Sequence, residues 1–207
     1  LSGTGIGDLL DISIMPTIGV KPDTLPYRSL FSHSHEKAFP GYYQVWLTDS
    51  KINVELTTSA RVGLHRYTFP AGADASIKID LGWAINWDKA TECYLKQVSP
   101  TTFIGYRKST GWAKNQVIYF AIQLNKPVKN MTLFANQKQV NQTMATAQKV
   151  LAYLQFSTKG QEQVLMKVAL STASVEGAMA GLKEISDWNF DKVQKDATSL
   201  WNKELSV

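Results

Sequence analysis

Three histidines, His33, His35 and His65, are the chain's full imidazole complement, and all lie between Phe31 and Pro70. His33 and His35 are spaced HxH. On a strand that spacing puts both rings on one face and starts a metal pair; in a loop the two rings are ordinary hydrogen-bonding groups. His65 and Glu36 are the further ligands a zinc site would draw on, and nothing in the sequence sets their separation. Hydrolysis by paired carboxylates needs an acid and a base roughly 6.5–9.5 Å apart. The chain has 17 acidic residues, of which Asp8, Glu36, Glu55 and Asp80 are candidates to face a site. They form no recognisable pair, and each reads equally as a hydrogen-bonded structural carboxylate. Trp83 and Trp87, in GWAINWD, either stack on a sugar ring or cap the edge of a core. Arg107 is either a carboxylate partner or a donor to a sugar hydroxyl.

These groups need a scaffold, and the stretch 31–70 supplies one. Tyr43, Val45 and Leu47 alternate, Thr48–Lys51 is a polar turn, and Ile52, Val54 and Leu56 alternate again, which predicts a hairpin. In the next segment Val62 and Leu64 share one phase while Tyr67 and Phe69 take the other. A phase switch within a strand predicts a β-bulge that re-aims His65 and Arg66.

Upstream, LSGTGIGD (1–8) places three glycines in five positions, with Ser2, Thr4 and Asp8 as polar groups. It has no GK[ST] element, so a tight turn fits better than a phosphate cradle. Residues 16–30, with three prolines, predict an exposed loop. Downstream, Ile77, Ile79 and Leu81 alternate, and segments 91–98 and 101–107 pair around Ser99-Pro100. The run 117–124 is apolar on both faces, which suits a strand covered on both sides. Met131 and Leu133, then 150–156, then Val164 to Leu170 predict three more strands, with Asn136–Lys149 a loop or hairpin tip. From Ser174, a predicted N-cap, the period lengthens to about 3.6. Val175, Ala178, Met179, Leu182 and Ile185 form one stripe, and Phe190, Val193, Ala197, Leu200 and Trp201 a second. The reading is one antiparallel β-sandwich with C-terminal helices: residues 1–172 as sandwich and 173–207 as a helical linker.

Bulk properties narrow the function classes. Net charge is +5, but the 22 Lys and Arg are scattered without a basic run, which argues against nucleic acid as a partner. No apolar run approaches the roughly 20 residues that span a bilayer. The single Cys93 excludes an internal disulfide and reads as a buried small hydrophobe. Asn130-Met-Thr and Asn141-Gln-Thr match the glycosylation sequon, a short and common pattern. The chain opens on Leu1 with no initiator Met, and reads as a piece of a longer protein whose targeting signal lies elsewhere.

Several segments together carry a resemblance. SGTGIGD followed by Met15-Pro16, FSHSHEKAFPGYYQV, ELTTSARVGLHRYTFP, IGYRKSTGW and WNFDKVQKDATSLWNKEL are similar to the N-terminal domain of glycoside hydrolase family 92. The marked positions include His33, Glu36, Pro40, Gly41, Tyr42, Tyr43, Glu55, Leu56, Thr57, Arg61, Gly63, His65, Arg66, Tyr67, Phe69 and Pro70, with Arg107, Gly111 and Trp112 further on. The resemblance implies a supersandwich, galactose-mutarotase-like, joined through the last helix to an (α/α)6 barrel. It also implies membership among calcium-dependent, inverting exo-α-mannosidases, α-1,2-mannosidases among them. The catalytic carboxylates and most Ca2+ ligands then belong to the barrel. No metal ligand and no catalytic residue is assigned to this chain.

On that reading the domain is one wall of an interdomain pocket for terminal α-mannosides of N-glycans or mannans, inactive alone, in a periplasmic or secreted enzyme of a bacterium. The substrate-facing candidates are Ser2, Gly3, Thr4, Gly5, Asp8, His33, Glu36, His65, Arg66, Trp83, Trp87 and Trp112. Two alternatives stay open: an independent carbohydrate-binding module using Trp83, Trp87 and Trp112, or a purely structural domain packed on the barrel.

Overall fold

Alternation of apolar and polar side chains runs through most of the chain, and strands follow it. The computed structural model describes residues 12–21, 28–84, 87–158 and 161–206. In chain order the strands are β1 (Ser13–Ile18), β2 (Glu36–Phe39), β3 (Tyr42–Leu47), β4 (Ile52–Thr58), β5 (Val62–Phe69), β6 (Ala75–Asp80) and β7 (Lys89–Ser99). They continue with β8 (Thr102–Thr110), β9 (Gln116–Leu124), β10 (Asn130–Ala135), β11 (Lys138–Val140), β12 (Met144–Ala147), β13 (Val150–Gln155) and β14 (Glu162–Ser171). Helices α1 (Val175–Gly181) and α2 (Phe190–Leu205) close the fold.

The strands form two sheets, ordered β1-β6-β13-β10-β11 and β12-β7-β8-β9-β14-β5-β4-β3-β2. The pairings are antiparallel, as in the β5–β14 and β8–β9 ladders. The inner faces meet in one core that includes Ile52, Tyr67, Phe69, Ile77, Ile79, Phe103, Phe120, Ile122, Leu154 and Met166. The expected antiparallel sandwich is therefore present, and its large sheet has a second covered face.

That face packs on the helices. Val62, Leu64, Ala121, Leu165 and Ala169 of the sheet bury against Ala178, Leu182, Ile185 and Phe190. Ser174 caps α1 by accepting the Gly177 amide at 3.1 Å, and Asn189 caps α2 by accepting the Lys192 amide at 3.0 Å. Gly41, at φ +87°, passes directly under α2; a Cβ there would lie 2.9 Å from the Thr198 nitrogen. Only glycine combines that φ with that approach.

The double layer explains the phase switch in β5, and it corrects the bulge expectation. Pairing of β5 with β4 and with β14 is unbroken. Val62, Leu64 and Arg66 face the helices, whereas His65, Tyr67 and Phe69 face the sandwich core. Burial moves from one layer to the other along a regular strand, and an alternation count cannot tell that from an inserted residue.

Of the two readings open for the HxH pair, the loop one is seen: His33–His35 form a 3-10 turn capped by Ser32, and the two rings do not share a strand face. Two further expectations change. The segment 16–30 is not loop from its start, because β1 runs to Ile18 and carries Pro16 on a sheet edge, where the missing N–H breaks no ladder. The span 136–149 holds two short strands, with Asn136 and Gln137 at positive φ making the β10–β11 turn.

Candidate functional site

The candidate residues fall into four separate places in the fold. The first is the edge of the large sheet. His33, on its 3-10 turn, meets the Glu36 carboxylate at 2.6 Å, and the Tyr43 hydroxyl donates to the other Glu36 oxygen at 2.6 Å. The Tyr43 bond, followed by His33, holds the Glu36 carboxyl below its ordinary range. Burial, reinforced by that carboxylate, pushes the Tyr43 phenol up to about 12. Glu36 is thus a permanently ionised acceptor at neutral pH, with the exposed imidazole of His33 beside it.

The second place is the outer face of the sheet beneath α2. Arg66 makes a two-pronged contact with Glu55, Nε to Oε2 at 2.8 Å and Nη2 to Oε1 at 2.6 Å. Its third nitrogen reaches Asp191 of α2 at 2.9 Å, and its guanidinium lies 4.2 Å from the Phe190 ring centroid. Tyr42 donates to Glu55 at 2.9 Å, and Asn53 adds a longer bond at 3.3 Å. Arg66 and Glu55 are therefore committed to fastening α2 onto the sheet. The resemblance marks both positions, but Asp191 as their partner is visible only once β5 and α2 are stacked.

The third place is the sandwich-facing side of β5, where the half-buried His65 ring shares a 2.6 Å hydrogen bond with the buried Tyr67 hydroxyl. Burial pushes the imidazole down from 6.5 to about 4 and the phenol upward. The unfolded chain therefore takes up the proton first as pH falls. The stability tied to neutral His65 is complete above pH 6.5 and is lost between 6.5 and 4, a loss on the order of 1–3 kcal/mol because the ring keeps some contact with solvent. Urea unfolding at pH 7 and 4.5 reads this, and His65→Gln flattens the slope; an equal slope in the variant contradicts the assignment.

The fourth place is one end of the sandwich, where β6 crosses to β7. Arg107 lies fully buried on β8. Its Nε donates to the Leu81 carbonyl at 3.0 Å, and its Nη2 reaches Asp88 at 2.6 Å and the Trp83 carbonyl at 3.5 Å. Of the two readings open for Arg107, the structural carboxylate pairing is the one seen. Trp83 is half-buried. Trp87 and Trp112 are 51% and 69% exposed, with ring centroids 6.3 Å apart and planes inclined by 39°. Cys93 lies beneath, donating to the Leu81 carbonyl, and burial pushes its thiol up to about 11, which leaves it unreactive. β1 begins at the same end, since Ser13 pairs with Asp80. Ser2, Gly3, Thr4, Gly5 and Asp8 lie outside the described residues.

One grouping went unforeseen. Tyr94, Tyr106 and Tyr119 sit directly opposite one another on β7, β8 and β9, with centroids 5.4 and 6.0 Å apart on the outer face. Alternation places each of them outward, but only strand register aligns them. Tyr106 donates to Glu92, which also binds Lys108 at 2.6 Å. Among the described residues, no group of three or more His, Cys, Asp or Glu side chains converges to hold a metal.

Residues 1–171 match the Glycosyl hydrolase family 92 N-terminal domain. The chain belongs to family 92. Among solved structures it is similar to the family GH92 alpha-mannosidase BT3965 from Bacteroides thetaiotaomicron, at 32% identity and a TM-score of 0.92. That alignment covers 100% of this chain and 30% of the mannosidase. The same mannosidase in complex with mannoimidazole aligns with equal identity and TM-score, covering 100% of this chain and 29% of that one. The family GH92 inverting mannosidase BT2199 from the same organism shares the fold at 24% identity and a TM-score of 0.76, over 93% of this chain and 26% of that one. No curated protein matches the chain. This family 92 chain thus spans about 30% of the length of the first mannosidase it resembles.

Proposed function

We propose that this chain is the N-terminal part of an inverting, calcium-dependent α-mannosidase that hydrolyses terminal α-mannosides of N-glycans or mannans. The observation that carries the reading is the 32% identity to an α-mannosidase across the whole of this chain. The domain forms one wall of an active site between itself and an (α/α)6 barrel, and is inactive alone. Its contribution is orientation of the sugar and exclusion of water; the acid, the base and the calcium ligands belong to the barrel. The barrel packs against α2, whose Leu200, Trp201 and Leu205 are exposed beside a groove of about 570 Å3 that also involves Thr58, Ser59 and Ala60. The enzyme is periplasmic or secreted. Among the described residues no helix is long and apolar enough to cross a membrane.

The test compares aryl α-mannoside hydrolysis by this chain alone and by this chain fused to the remainder of the Bacteroides mannosidase. The expected result is no turnover by the chain alone. The fusion releases mannose of inverted anomeric configuration and loses activity on calcium chelation. Turnover by the chain alone would overturn the placing of the catalytic carboxylates in the barrel.

A further inference from the structure

Trp87 and Trp112 present two large apolar rings to solvent, and what lies under them is built rather than loose. Asp88, next to Trp87, is held by the fully buried Arg107 at 2.6 Å. Gly111, next to Trp112, packs so closely on the same residue that a Cβ would lie 3.1 Å from the Asp88 Cα. Two loops far apart in sequence are thus fixed to one buried ion pair, and each sends out a tryptophan from the neighbouring position. The planes stay inclined at 39° with centroids 6.3 Å apart. Both rings remain open to solvent above that anchor.

We propose that the Trp87–Trp112 pair is a stacking subsite for one mannopyranose ring. The proposal rests on the mannosidase reading for the identity of the sugar, and on this geometry for the stacking. A pyranose has C–H bonds on one face and hydroxyls around its rim. Stacking that face on an indole removes apolar surface from water on both sides and sets the weakly positive C–H edge against the negative ring face, while the hydroxyls stay solvated. Charge argues the same way. The Asp88 carboxylate beneath the platform is matched by Arg107, so the rings rest on a neutral pair that suits an uncharged ligand over a phosphate or a carboxylate.

The test follows the indole N–H resonances of this chain as an α-linked mannobiose or an α-linked glucobiose is added. The expected result is saturable movement of the Trp87 and Trp112 signals with the mannobiose. Affinity falls at least tenfold in Trp87→Ala and in Trp112→Ala, a change of ~1.4 kcal/mol, while both variants keep the parent unfolding midpoint because the rings are exposed. If neither signal moves, or if binding survives both substitutions, the subsite is refuted; the mannosidase reading is judged separately by the hydrolysis assay. Equal movement with the glucobiose refutes the assignment to mannose.

Discussion

Arg66→Met is expected to cost the fold about 3–5 kcal/mol, because it strands the Glu55 carboxylate beneath α2 without its cation. Both side chains of the pair are nearly buried, at 17% and 10% exposure, so solvent screens little of the interaction. The substitution also removes the bond to Asp191 and the contact with the Phe190 ring, and so releases the start of α2 from the sheet. Two hydrogen bonds to Glu55, from Tyr42 and Asn53, remain and do not replace a positive charge. Urea unfolding followed by far-ultraviolet dichroism reads the effect. The double variant Glu55→Leu with Arg66→Met recovers part of the loss, since the cost lies in the uncompensated carboxylate more than in the absent contact. A single-variant loss below about 1 kcal/mol would place this pair with exposed ion pairs and contradict the clamp.

Arg107→Met is the second large effect, again about 3–5 kcal/mol. Arg107 is fully buried, and its loss leaves the Leu81 carbonyl with only the weak Cys93 thiol as donor, removes the donor to the Trp83 carbonyl and leaves Asp88 without its cation. Lysine does not rescue it, because one ammonium on a flexible stem cannot reproduce a planar fan of donors to three acceptors. This substitution also acts on the end of the sandwich. With the ion pair gone, the loops bearing Trp87 and Trp112 lose their common anchor, and tryptophan fluorescence anisotropy falls under native conditions. A stable variant with unchanged anisotropy would show that the indoles are held by something else.

Much of this fold is legible without coordinates, for a local reason. Side chains on a strand alternate every two residues, so Ile52–Thr58, Gln116–Leu124 and Glu162–Ser171 announce themselves wherever one or both faces are buried. The Ser174 cap and the change to a helical period are equally local. The bulge expectation failed for the opposite reason. The β5 phase switch depended on what covers each face of the strand, which is not local information.

The candidate site divides along the same line. Residue types and motif density were enough to single out His33, Glu36, His65, Arg66 and the tryptophans, and to name the family. Where they stand depends on tertiary contacts. Arg66 turns toward α2, His65 toward the sandwich core and His33 toward a sheet edge, while Trp87 and Trp112 meet over Asp88. Strand pattern, fold class and family follow from short-range periodicity and motif identity, which are written along the chain. The clamp under α2, the neutral platform under the indoles and the depressed His65 basicity arise only when sheets and helices stack, because burial and charge pairing are properties of neighbours distant in sequence.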